Sequence, residues 1–191
     1  MSRAYWVKLS TSVSDTIQAD DCATHKIDLE AVVPAAEMGE IVGAALEGAG
    51  WERQDDGSFR KQVRDVTLVW DLTASEVRAG VEASQSLTQD VHAQGRGYDE
   101  KQAQSDAQKR LELEAKRVQD ALAGEQERLQ QQLTQKLSDS EEARVREINE
   151  VLQRAYAEAV KRKARRMGNV TNVQESTSDD GEYQLTITIS E

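Results

Sequence analysis

From about Tyr98 the spacing of apolar residues changes from two to about three and a half and holds for roughly seventy residues, interrupted only near Ser138, Asp139 and Ser140. A stretch of that length commits the middle of the chain to helix, and the interruption divides it into two arms. The pattern predicts an antiparallel helical hairpin. In the first arm Leu111, Ala115, Val118, Leu122 and Leu129 fit a heptad seam, after which Leu133 and Leu137 require a shift in phase. In the second, Val145, Ile148, Leu152, Ala155 and Ala159 keep the alternating three and four spacing. Ser138 with Glu141 forms the pattern of a capping box that would start the return arm. At about 1.5 Å per residue the longer arm spans roughly 50 Å.

The flanks have the other period. Residues 5–31 read as half-buried strands: Tyr5, Val7 and Leu9 alternate with Trp6, Lys8 and Ser10, and later Ile27, Leu29 and Ala31 alternate with Lys26, Asp28 and Glu30. Pro34 opens a helix in which Met38, Ile41, Val42, Ala45, Leu46 and Ala49 share a face, and Gly48 and Gly50 end it. A hairpin turning at Asp55-Asp56-Gly57 follows, then strands carrying Val66, Leu68, Trp70 and Leu72, and Val77, Ala79, Val81 and Ala83. After Gly168-Asn169 the chain returns to strands over Val170 to Gln174, a turn at Ser178-Asp179-Asp180-Gly181, and Tyr183, Leu185, Ile187 and Ile189 in strict alternation.

The last strand has one apolar face and needs a partner sheet, which residues 5–87 would supply. The predicted fold class is therefore α+β: a small antiparallel sheet domain (1–96 and 169–191) with one short packed helix, and a long antiparallel coiled-coil hairpin (97–168) inserted before the C-terminal strands.

Charge separates the same two parts. Residues 97–168 hold fifteen Lys and Arg against fourteen Asp and Glu, leaving nine against twenty-one for the rest, so the net charge of −11 resides in the sheet segments. That balance argues against a general affinity for nucleic acid or anionic lipid. No apolar run approaches a membrane span and the first residues lack a signal core, so a cytoplasmic protein without membrane insertion is expected. Lys161, Arg162, Lys163, Arg165 and Arg166 crowd one helix end. Their simplest role is to complement the helix C-terminal dipole and the acidic sheet; a partner surface and a nucleic-acid patch are the alternatives.

No constellation of residues points to catalysis. Cys22 and His25 have a spacing that could serve one metal, but a tetrahedral site needs three or four ligands and no second pair exists. Cys22 and His25 read as part of a polar loop joining two strands, and so does His92, within Thr88 to Gly95. The sequence has no nucleophile elbow, and Gly95-Arg96-Gly97 reads as a flexible joint into the first long helix rather than an anion cradle. Asp55, Asp56, Asp179 and Asp180 precede glycines in turns and lack the remaining ligands of a calcium loop. Trp6, Trp51 and Trp70 are expected in core packing. No catalytic residue, cofactor or metal is predicted.

The Tyr5-Trp6-Val7-Lys8-Leu9 opening, the Leu46 to Trp51 helix exit and the terminal Leu185-Thr186-Ile187-Thr188-Ile189 strand resemble the small accessory α+β proteins found beside FtsH-type or MoxR-type ATPases in bacterial ternary systems. The resemblance covers the sheet segments, not the helical hairpin. It implies an adaptor or regulatory subunit of an ATPase-centred complex. The expected function is thus a non-catalytic adaptor or scaffold whose hairpin is a docking arm, with an AAA+ ATPase or a second copy of the chain as partner. Gln130, Gln131, Arg144 and Glu147, taken as exposed, are the contact candidates. A small ligand-binding or enzymatic domain with its site on the sheet is the competing class.

Overall fold

The computed structural model describes residues 5–177 and 183–190. The chain is α+β, with a helix-rich middle ahead of the C-terminal strands. In order, its elements are β1 (Tyr5–Lys26), α1 (Ala35–Gly48), β2 (Glu52–Arg53), β3 (Phe59–Val63), β4 (Val66–Asp71), β5 (Glu76–Gly97), α2 (Glu100–Asp139), α3 (Glu141–Met167), β6 (Asn169–Thr177) and β7 (Tyr183–Ser190). Five strands form one sheet in the order β1-β5-β4-β3-β2, and β6 and β7 form a second, two-stranded sheet. Two compact units divide the chain: residues up to Asp21 with Val81–Gln135, and Cys22–Gly80 with residues from Lys136 on.

The second unit holds most of the apolar core. Strand alternation puts Phe59, Val66, Leu68, Trp70, Val77 and Ala79 on one face of the sheet, all at 1% exposure or less. Helix α1 covers that face with Met38, Ile41, Val42 and Leu46, spaced three and four apart, and ends where Gly50 takes φ +81° and Trp51 N–H donates to Leu46 O. Helix α3 packs on α1 and buries Ile148, Val151, Ala155 and Ala159. Tight turns fix the registers: Val63 pairs with Val66 across Arg64 at φ 55°, and Asp71 pairs with Glu76 across a turn in which Asp71 Oδ1 accepts from the Thr73 and Ala74 amides.

In the first unit, side-chain bonds Ser12–Asp90 and Thr16–Ser86 join residues whose numbers keep a constant sum, as an unshifted antiparallel pairing of β1 and β5 requires. Helix α2 starts at Asp99, whose carboxylate caps the Gln102 amide while Gln102 Oε1 accepts from Tyr98 N–H. Its first turns lie hard against β5. A Cβ at Gly95 would overlap the backbone of Ala103 and Ala107, both fully buried, and Arg96 N–H donates to Asp106. Farther along, Gln130 and Thr134 bond to Asp20 and Asp21 of β1.

Several expectations are corrected. Residues 22–25 and 88–95 are not loops but the interiors of β1 and β5. Residues 20–25 and 88–94 carry mostly polar side chains, so no apolar alternation marks either stretch as strand. Ile27 to Ala31 lie outside any strand, with Ile27 N–H donating to Ser75 O. The final strand does not join the sheet of residues 5–87; β7 pairs with β6, and Tyr183, Leu185 and Ile187 are only half-buried. The Ser138 capping box does not form, because the residue between α2 and α3 is Ser140, which stays near helical geometry (φ −87°, ψ −7°). Ser140 N–H donates to Lys136 O and Arg144 N–H to Ser140 O, so helical hydrogen bonding carries through the joint. The turn at Ser178 to Gly181 lies outside the described residues.

Candidate functional site

The residues singled out in the sequence fall in different environments. Gln131 is exposed, and Gln130, also exposed, donates to Asp20 O at 2.9 Å. Arg144 and Glu147 are not the exposed residues that their polar surroundings suggested. Arg144 is 2% exposed: its Nε donates to Ser140 Oγ (3.1 Å), Nη2 to Leu137 O (2.9 Å), and Nη1 lies 3.3 Å from His25 Nε2. Ser140 Oγ donates in turn to Leu137 O at 2.8 Å. Burial holds the Arg144 pKa below its ordinary value. An arginine reads as surface in a helical pattern, whereas this one satisfies a carbonyl at a helix joint.

Glu147 accepts from Lys61 Nζ at 2.6 Å and from Trp51 Nε1 at 3.1 Å, and Lys61 Nζ also donates to Ala49 O at 2.7 Å. Its carboxylate therefore ties α3 to strand β3 and to the exit of α1. Tyr156 extends this attachment by accepting the Glu30 amide at its hydroxyl, 2.9 Å away.

The basic end of α3 is largely engaged by the unit's own carboxylates. Lys161 pairs with Glu175, Arg162 with Glu158 at 3.2 Å and Glu37 at 3.8 Å, and Arg166 Nη2 reaches both oxygens of Glu37 at 2.9 and 2.8 Å. Glu37 sits in the first turn of α1, where the helix dipole favours a negative charge. Lys163 and Arg165 are exposed.

Between α3 and β7 runs an open groove of about 440 Å³ lined by Leu152, Tyr156, Ala157, Val160, Tyr183 and Leu185, with Asn149 and Gln153 at its polar margin. On the β6 side of Gln153 and Ala157 the surface becomes charged, with Glu150, Arg154, Glu158, Lys161 and Glu175 around a hollow of about 380 Å³. Tyr183 Oη donates to Glu175 Oε2 at 2.9 Å. Hydrogen bonds from Lys161 and then Tyr183 hold the Glu175 carboxyl below its usual range, while burial and then Glu175 raise the Tyr183 phenol. The groove's lining suits apolar side chains rather than bond-making chemistry.

A second surface lies in the first unit, where β1 begins and β5 ends. Tyr5, Trp6 and Tyr98 are 49%, 58% and 83% exposed, and the Arg96 guanidinium stands 5.4 Å over the Trp6 ring. Trp51 and Trp70 do pack in the core, edge to face at 5.8 Å, but Trp6 does not. Adjacent Tyr5 and Trp6 point to opposite faces of a strand, and that is the sequence signal that both could not enter one core.

Among the described residues, no group of three or more His, Cys, Asp or Glu could hold a metal ion. Cys22 is exposed on β1, and His92 lies on β5 beside a hollow that Lys8 also lines. Among the described residues, no helix is long and apolar enough to cross a membrane. No curated protein and no solved structure matches the chain. The family model for FtsH ternary system domain X5 matches residues 1–190, a span that takes in both sheets and the helices between them, and the chain belongs to that family.

Proposed function

We propose that the chain is a non-catalytic accessory subunit of a cytoplasmic FtsH-centred assembly, an adaptor that docks through the unit built on α2, β1 and β5. The family description names a multi-component system, and an adaptor in one needs a surface that remains uncovered in the isolated chain. The observation that carries the reading is the aromatic end of that unit. Tyr5, Trp6 and Tyr98 are three of the chain's eight aromatic residues, and Arg96 stacks on one of them. Tryptophan, tyrosine and arginine dominate the residues that carry binding energy at protein interfaces. Close docking of Ala103 and Ala107 on Gly95 fixes the start of α2 beside these side chains, so little ordering entropy is lost when they engage a partner.

The test is binding of the purified chain to the FtsH-type ATPase of its own host by biolayer interferometry, with ATP and with ADP. The W6A/Y98A double variant should bind about tenfold more weakly or worse, a loss of at least ~1.4 kcal/mol, with its melting curve unchanged. Absence of binding in either nucleotide state refutes the reading. Full affinity in W6A/Y98A, with loss on substituting Gln130 and Gln131, would move the contact to the other end of α2.

A further inference from the structure

Sheet edges expose unpaired amides and carbonyls, and proteins protect such edges with charges, bulges or extreme shortness. Among the described residues, three of the four sheet edges are protected. Strand β1 carries Lys8, Asp15, Asp20, Asp21 and Lys26; β2 is two residues long; β6 has a bulge between Val170 and Asn172 and the Lys161–Glu175 ion pair. Strand β7, Tyr183-Gln184-Leu185-Thr186-Ile187-Thr188-Ile189-Ser190, has no Asp, Glu, Lys, Arg or Pro in a chain that is 31% charged. It pairs with β6 on one side, and the groove over α3 opens beside it.

We propose that β7 is a self-association edge and that its occupant is β7 of a second copy of the chain, paired antiparallel about a twofold axis. The pairing joins two two-stranded ribbons into a four-stranded sheet. Charge selects this occupant: a strand without ionised groups lies beside itself with no like charges opposed, although each chain carries a net charge of −11. Side-chain phase agrees with it. With odd residues opposite odd residues, Leu185, Ile187 and Ile189 of both copies share the face that meets α3, and each row covers the other copy's groove beside Leu152, Tyr156 and Val160. The same contact removes from water Ile189 and Val160, which are 37% and 38% exposed in the single chain.

Sedimentation equilibrium on the full chain from about 1 μM to about 1 mM reads the association directly. The wild type should pass from monomer to dimer, and added salt should strengthen the dimer by screening its charge. Thr186 and Thr188 lie on the exposed face of β7, so T186K/T188K should keep the circular dichroism and melt while weakening association at least tenfold. V160E, in the groove, should weaken it independently, and N172K on β6 should not. A wild type that stays monomeric throughout, or a dimer that persists in both T186K/T188K and V160E, overturns the proposal. If the chain is monomeric alone but T186K/T188K abolishes its binding to the ATPase, β7 receives a foreign strand and the self-pairing is wrong.

Discussion

Replacing Glu147 by alanine removes an acceptor shared by two donors and strands one of them. Trp51 Nε1 loses its acceptor at 3.1 Å on a side chain that is 3% exposed, and an orphaned buried donor costs roughly 1–3 kcal/mol. Lys61, whose side chain is 23% exposed, loses its 2.6 Å partner but keeps Ala49 O at 2.7 Å, so screening and the remaining bond limit that loss to about 1 kcal/mol. Together E147A should destabilise the second unit by about 2–4 kcal/mol, a fall in Tm of roughly 5–15 °C for a chain of this size. E147Q keeps an amide oxygen in place for both donors and should cost only about 1 kcal/mol. Urea unfolding followed by tryptophan fluorescence resolves the two, because Trp51 and Trp70 form the buried edge-to-face pair while Trp6 is solvent-exposed. An E147A midpoint within about 0.5 kcal/mol of wild type would refute the assignment and return Glu147 to the surface.

Two further expectations concern the first unit and acid. Gly95→Ala should displace α2 from β5, since the new methyl meets helix backbone rather than a side chain that can swing away; a loss of about 1–3 kcal/mol, with faster hydrogen exchange at Ala103 and Ala107, is expected, and unchanged exchange would deny the close approach. Because Glu175 has a lowered folded pKa, its contribution is complete above the unfolded value of about 4.3 and is lost as pH falls through the folded value below it. Amides of β6 and β7 should thus lose protection in acid earlier than those of β4, and E175Q should abolish the difference.

The sequence by itself determined the local elements wherever one face of an element is buried. Met38, Ile41, Val42 and Leu46 spelled out α1, Phe59 to Val81 spelled out β3, β4 and the start of β5, and the long 3.5-residue period announced α2 and α3, because burial on one face imposes a period that composition alone reveals. Residues 22–25 of β1 and 88–95 of β5 read as loops because mostly polar side chains leave no apolar alternation to read there, although both stretches are strand. What sits beside what was decided by tertiary structure. The alternating row of β7 is equally consistent with pairing on any available strand, and only the fold assigned it to β6. Arg144 and Glu147 look like ordinary surface charges in sequence; Arg144 is buried on the Leu137 carbonyl at the helix joint, and Glu147 is half-buried because the Trp51 and Lys61 donors lie within reach once α3 has packed. Periodicity records how much of a residue is covered, not which neighbour covers it, and docking surfaces are made of that second kind of information.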